Sequence, residues 1–252
     1  MRVAAVGDLH CTRTSQGVLQ PVFAAASSNA DLLLLCGDLT DYGLPDEARV
    51  LAKEAAAALR IPAVGVLGNH DYESGQHQEV VQILGEAGIV ILDGDGREIG
   101  GVGIAGVKGL GGGFGERALQ PWGEDIIKRF VRETVDEALK LETALARLST
   151  SRRIAILHYS PIQATVEGES PELYPFLGSS RLEEPLNRIP VDFVFHGHAH
   201  RGRPEARTRA GVPVYNVCLA LLRELDPANP PLRLVELTVS AEPDKPAGGF
   251  VT

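Results

Sequence analysis

No apolar run in the sequence approaches the roughly 18 residues that a membrane-crossing helix requires, so no membrane span is expected. Cysteine is scarce: three in 252 residues, at Cys11, Cys36 and Cys218. An odd number at irregular spacing, in a chain long enough to bury its own core, provides no disulfide framework and fits a reducing, cytoplasmic compartment. Basic residues are outnumbered, with 24 Lys and Arg against 33 Asp and Glu and a formal charge of −9. Proteins that track long nucleic acids need a concentrated basic face to release counterions, so DNA or RNA is not the expected partner. Net charge leaves a small ligand open, because a local group of charges can outweigh the field of the whole molecule. Residues 2–6 already read as a strand, which leaves no room ahead of them for a basic segment, an apolar stretch and a cleavage site, and secretion is not expected.

What is present is an ordinary globular composition, 44% hydrophobic and 23% charged. The first half alternates short aliphatic runs with longer alanine-rich stretches, the rhythm of strand, helix, strand. Strands are expected at 2–7, 31–36 and 63–67, with helices at 18–29 and 45–59 between them, and parallel pairing follows. A helix from about 75 to 86 precedes short runs at 89–92, 97–99 and 102–107, whose close spacing predicts an antiparallel meander. Residues 123–148 read as a long helix with Ile126, Ile127, Phe130, Val131, Val135, Leu139, Leu141 and Leu145 on its apolar face. Strands at 153–157 and 191–195, a short helix at 181–188 and late runs at 213–217 and 232–239, read as edge-adjacent strands, complete one domain over 1–240. The segment 241–252 reads as a flexible tail.

Polar side chains of metal-binding type fall at the carboxyl ends of five of these strands. Gly7-Asp8-Leu9-His10 follows the first, Gly37-Asp38 the second and Gly68-Asn69-His70-Asp71 the third. His158 follows the strand at 153–157, and Gly197-His198-Ala199-His200 follows that at 191–195. In α/β sheets ligands bind beyond the carboxyl ends of the strands, so the five clusters can converge on one place. Taken singly, Asp8 and Asp38 read equally as helix caps or turn formers, Asn69 and Asp71 as turn residues and the histidines as strand-end or loop residues. Five elements, each in its structural context, outweigh those separate readings.

In order and spelling these residues resemble the signature of calcineurin-like metallophosphoesterases, and the elements run from residue 7 to residue 200. The resemblance implies an α/β (α+β) fold, a four-layer αββα sandwich of two mixed β-sheets flanked by helices. It implies two divalent metal ions, one held by Asp8, His10, Asp38 and His200 and the other by Asp38, Asn69, His158 and His198, with Asp38 bridging. A mixed nitrogen and oxygen set suits Mn, Fe, Zn or Ni better than Ca or Mg. The implied activity is hydrolysis of a small phosphomonoester or phosphodiester, a cyclic nucleotide being one example, by a metal-bridging hydroxide. His70 resembles the residue that contacts the phosphoryl group or protonates the departing alcohol, and Asp71 the carboxylate that orients its imidazole. The alternatives are a metal-dependent nuclease, which the charge disfavours, and a non-catalytic scaffold, which would be expected to have lost ligands that are all present here.

Several other features take plainer readings. His196 reads as a core or supporting residue and Cys11 as a small buried hydrophobe. The glycine cluster at 109–115 lacks the Gly-Lys-Ser/Thr ending of a phosphate loop and reads as a flexible loop near the site rim. The acidic loop 161–180 is long enough to form a wall or lid. Arg201 is placed to reach a substrate phosphate, although Arg201, Arg203, Arg207 and Arg209 together also read as a solvated charged strand edge.

Overall fold

Because side chains alternate faces along a strand, a run such as Leu32-Leu33-Leu34-Leu35 must be covered on both sides. The computed structural model, which describes residues 1–239, supplies both covers. One sheet contains β1 (Arg2–Val6), β2 (Leu32–Cys36), β3 (Ala63–Val66) and β4 (Ile89–Ile91) in parallel, with β11 (Arg233–Glu236) antiparallel beside β1. Ala4, Val6, Leu33 and Leu35 face a helical layer of α1 (Gln20–Asn29), α2 (Pro45–Ala58) and α3 (His77–Glu86). Val3, Ala5, Leu32 and Leu34 face the second sheet. Each of these leucines is fully buried, which contributes about 1.5–3 kcal/mol per side chain relative to exposure.

The second sheet runs in the order β5 (Asp95–Ile99), β6 (Val102–Val107), β7 (Arg152–Leu157), β8 (Phe193–His196), β10 (Pro213–Asn216) and β9 (Glu205–Arg207). Strands β6, β7, β8 and β10 are parallel, and β5 and β9 are antiparallel to their neighbours. Ile104, Ile154, Ile156 and Phe195 meet the first sheet, while Ala105, Leu157 and Val194 meet α4 (Asp125–Arg147) and α6 (Glu183–Arg188). A single turn, α5 (Tyr174–Leu177), and α7 (Leu219–Leu225) complete the described helices. The result is the expected four-layer arrangement of two mixed sheets between helices. The segment 241–252, read as a flexible tail, lies outside the described residues.

Local expectations change in three places. No three-strand meander forms: β4 joins the first sheet parallel to β3, and only β5 and β6 make an antiparallel hairpin, in the second sheet. The chain crosses between layers at residues 92–94, and close spacing alone could not reveal a change of sheet. On α4 the buried stripe is Val131, Thr134, Ala138, Leu141 and Leu145, whereas Ile126, Val135 and Leu139 are exposed. At 100° per residue those three lie roughly 80–120° from the centre of the stripe. Strand β9, which holds Glu205 to Arg207, forms the outer edge of its sheet and accounts for the solvated charged edge. The run at 213–217 is one strand in from that edge as β10, and β11 is itself the edge of the first sheet.

Candidate metal centre

The loops after β1 and β2 continue side by side beyond their strands. Asp8 N–H donates to Gly37 O (2.9 Å), His10 N–H to Asp38 O (3.0 Å) and Cys11 N–H to Leu39 O (3.1 Å). From the second sheet, Gly197 N–H donates to His158 O (3.1 Å), and Gly7 N–H reaches across to Val217 O (2.8 Å). The carboxyl ends of both sheets are thereby sewn into one surface. Glycines in the motifs permit the approach: a Cβ at Gly68 would overlap Asp38, one at Gly37 would overlap His158, and one at Gly197 would overlap Asp8. Each motif leaves room for a polar side chain of another.

Backbone strain concentrates in the same place. Among the described residues, the non-glycine positions with positive φ are Asp8 (56°), His10 (44°), Asp38 (48°) and His198 (70°). The left-handed region costs an L residue roughly 1–2 kcal/mol. Four such residues, all of ligand type and all at one site, are the pattern of strain held for function.

Asp38 lies at the centre. Its Oδ1 is 3.3 Å from His158 Nε2, and its Oδ2 is 3.8 Å from His10 Nε2 and 4.0 Å from His70 Nε2. His158 Nε2 is also 2.9 Å from Asn69 Oδ1, and the His158 and His198 ring centroids are 4.7 Å apart. On the other side, Asp8 Oδ1 is 3.2 Å from His200 Nε2, and the His10 and His200 ring centroids are 5.4 Å apart. Asp8, His10, Asp38, Asn69, His70, His158, His198 and His200 are therefore brought together. Potential ligand atoms fall into three groups within 4.8 Å: Asp38 with His158 and His198, His10 with Asp38 and His70, and Asp8 with His200 and Cys218. The floor is buried, with Asp38, Asp8 and His158 at no more than 1% side-chain exposure, while His70 and His200 are 41% and 44% exposed. An approaching ligand meets those two imidazoles first.

The outer nitrogens of these rings decide whether the inner ones can hold a cation. His158 Nδ1 donates to Cys36 O (3.0 Å), His198 Nε2 to Phe176 O (3.1 Å), His70 Nδ1 to Asp41 O (2.7 Å) and His10 Nδ1 to Asp41 Oδ1 (3.1 Å). A carbonyl or carboxylate only accepts, so in the neutral rings the inward nitrogen carries the lone pair. His10 Nε2 is buried and has no hydrogen-bond partner among the described residues. His158 meets oxygens on both ring edges, a geometry that requires either a proton or a cation at Nε2. Burial lowers the His158 pKa, but the charge of Asp38 and its hydrogen bond outweigh burial and raise it to about 9. Asp38 is opposed by burial and held well below the usual carboxylate range by His158, the His70 amide and the His70 ring. The residues fit a cation site on chemistry as well as on position.

Asp71 does not contact the His70 ring. Its buried carboxylate accepts from Leu39 N–H (3.1 Å), Thr40 N–H (2.8 Å), Thr40 Oγ1 (2.6 Å) and Gly68 N–H (2.8 Å), which ties the loop after β2 to the loop after β3. Burial raises its pKa, and the Gly68 amide and Thr40 hydroxyl restrain the rise. The orienting contact expected of Asp71 is made instead by Asp41, which holds both His70 and His10. Asp41 holds His70 through its backbone carbonyl, which no side-chain pattern signals, and His10 through its carboxylate, which stands three residues beyond Asp38. Cys218 was also missed: it sits beside Asp8 just past β10, and burial followed by the Asp8 charge pushes its thiol up.

Remaining expectations resolve simply. His196 is buried, bonded to Thr165 Oγ1 and Gly197 O (both 2.8 Å), and burial lowers its pKa to about 4. Cys11 is buried away from the centre, near Glu47 O. The glycine cluster is pinned rather than loose: Gly112 N–H donates to Pro175 O (2.6 Å) and Gly113 N–H to Gly178 O (2.9 Å). In loop 161–180, Val166, Tyr174 and Leu177 pack against Ala199 and Phe114, which fixes the loop beside His198. Arg203 pairs with Glu167 (2.8 Å) and Arg209 with Glu183 (3.1 Å), whereas the Arg201 side chain is exposed and its N–H donates to Glu169 (2.7 Å).

In sequence the chain matches the family described as calcineurin-like phosphoesterase over residues 1–202. Comparison with curated proteins gives no match. The fold is similar to that of phosphopantetheinyl hydrolase (PptH) from Mycobacterium tuberculosis, with a TM-score of 0.64 at 17% identity, covering 96% of this chain and 98% of that one. It is also similar to a protein from Thermus thermophilus, with a TM-score of 0.52 at 15% identity over 88% and 90% of the two chains. A proposed 5′-nucleotidase from Staphylococcus aureus, solved with alpha-ketoglutarate, gives 0.52 at 16% identity over 85% of this chain and 48% of that one. With the motifs assembled at one edge of this fold, the chain belongs to the calcineurin-like phosphoesterase family and is a metal-dependent phosphoric ester hydrolase.

Proposed function

We propose that the chain hydrolyses a small phosphomonoester or phosphodiester, for example a cyclic nucleotide, at a binuclear centre. Asp8, His10, Asp38 and His200 would hold one cation, and Asp38, Asn69, His158 and His198 the other. The observation that carries this reading is the buried Asp38 carboxylate with the Nε2 atoms of His10, His70 and His158 turned toward it. A bound pair of divalent cations supplies charge neutralisation on the phosphoryl oxygens and an activated water near neutral pH.

The chain's own residues do the rest. His70 Nδ1 is fixed as a donor to Asp41 O, so protons enter and leave this ring at Nε2, which lies 4.0 Å from Asp38 Oδ2 on a side chain that is 41% exposed. There the imidazolium donates to the oxygen of the departing alcohol and the neutral ring accepts from water. Asp41 aligns His70 and His10 together, and Asp71 holds the two loops that present Asp38 and Asn69. The wall from 161 to 180 restricts the approach of long polyanions, and a cytoplasmic setting accords with three free, buried thiols.

The test is metal analysis of purified protein beside a screen of aryl monoesters, aryl diesters, nucleotides and sugar phosphates. Two metals per chain with turnover of at least one small ester is expected, and Asp38→Ala should lose the pair. Retention of two metals by Asp38→Ala removes the bridge. Absence of turnover in metal-loaded protein across every ester sinks the hydrolytic reading.

A further inference from the structure

Beside the metal centre, at the carboxyl ends of β3, β4 and β6, lies a cavity of about 350 Å³. Leu67, Tyr72, Val81 and Ile91 supply apolar walls, and Lys108, His77, Gln78 and Asp93 the polar groups, with the Asp93 charge met by Lys140 (3.3 Å). Its walls adjoin the centre through the backbone. Leu67 precedes Gly68-Asn69, Tyr72 follows His70-Asp71, and Lys108 O accepts from the His158 and Tyr159 amides (3.0 and 3.1 Å). Tyr159 in turn packs on the His198 ring, with centroids 4.5 Å apart.

Lys108 is the informative residue. Its half-buried ammonium lies 5.7 Å from the Tyr72 ring centroid and 5.2 Å from that of Tyr159, and donates to Gly109 O (2.6 Å). Among the described residues no carboxylate pairs with it, because Asp93 and Glu137 are both taken by Lys140 (3.3 and 2.7 Å). An ammonium has three protons and this one uses a single protein acceptor. His77, packed on Tyr72 with ring centroids 4.3 Å apart, keeps a buried Nδ1 without a partner among the described residues. Unspent polar capacity inside a partly apolar cavity of this size is the form of a small-ligand site.

We propose that this cavity is the subsite for the alcohol part of the substrate, taking a compact apolar or aromatic group that bears a carboxylate or carbonyl oxygen for Lys108. The inference rests on the phosphoesterase reading and narrows it to one substrate class. An aryl or short branched body fits between Tyr72 and Val81, its acceptor oxygen meets the Lys108 ammonium, and the ester oxygen points toward His70.

The experiment compares metal-loaded wild type with Val81→Phe, which fills the cavity, and Lys108→Met, which keeps the bulk and removes the charge. Substrates are methyl phosphate, phenyl phosphate and 4-carboxyphenyl phosphate, with thermal melting to confirm that each variant folds. For Val81→Phe the ratio of kcat/KM for phenyl over methyl phosphate should fall at least tenfold, mainly through KM. For Lys108→Met the ratio of 4-carboxyphenyl over phenyl phosphate should fall about tenfold. In parallel, saturation-transfer NMR with 4-hydroxybenzoate should give a signal on wild type that Val81→Phe abolishes. Ratios within twofold of wild type in both variants overturn the subsite even though hydrolysis proceeds. If no ester turns over, the hydrolytic reading fails, and the NMR result then decides the cavity: a signal absent from wild type, or equal in Val81→Phe, overturns it.

Discussion

Asp71→Ala separates two roles for a residue that the family resemblance places beside the His70 imidazole. In the structure its carboxylate accepts three backbone N–H groups and one hydroxyl from the loops that follow β2 and β3. Truncation leaves those donors buried, and each unsatisfied donor costs about 1–3 kcal/mol. Thr40 Oγ1 can rotate away, and water entering the vacated space can meet one or two amides, so the net loss should be about 3–5 kcal/mol. That is a large part of the roughly 5–15 kcal/mol that holds a domain together. Asp71→Asn keeps one acceptor oxygen and should lose about half as much. Urea denaturation followed by circular dichroism reads the effect as a lower midpoint at unchanged slope. Metal content should fall in Asp71→Ala, because Asp38 and Asn69 sit on the two loops it joins. The reasoning is refuted if Asp71→Ala unfolds within about 1 kcal/mol of wild type. A shift in the pH–rate profile with full stability would return Asp71 to the role of tuning His70.

Other substitutions probe neighbouring links. His70→Ala should keep the metal content of wild type and lower kcat by about 10²–10⁴, the usual contribution of a general acid or base; a loss of metal would instead make it a ligand, as its proximity to His10 and Asp38 allows. Gly37→Ala places a Cβ against the His158 ring at a φ of +80°, so it should displace that imidazole and reduce metal affinity by at least tenfold in a chelator competition. Glu54 accepts from Gly17, Leu19 and Gln20 N–H and from Gln20 Nε2, joining α2 to the start of α1. Burial raises its pKa, yet those donors outweigh burial and depress it. Its contribution is therefore complete above the unfolded-state value of about 4.3 and is lost as pH falls through the lower folded-state pKa. Glu54→Gln should remove that acid-side slope from a plot of urea midpoint against pH, and an unchanged slope would refute the linkage.

Most elements were legible because their signals are local. Runs such as 32–36 and the helix at 45–58 carry their own periodicity and breakers, and five polar clusters stand directly after strands, where α/β folds collect ligands. Three-residue β4 carries too little pattern to reveal its sheet, and Leu139 satisfied a helical repeat while pointing to solvent.

The sequence by itself determined the strand and helix order, the ligand residue types and the glycines between them, since these depend on neighbours a few positions away. Only the tertiary structure decided that the Asp41 carbonyl rather than the Asp71 carboxylate orients His70, that Cys218 lies beside Asp8, and that Lys108, without a carboxylate partner among the described residues, lines a cavity. Those facts arise where loops from both sheets meet. Which donor faces which acceptor there is set by packing across more than a hundred residues of chain, as between His158 and Cys36, and not by adjacency in sequence.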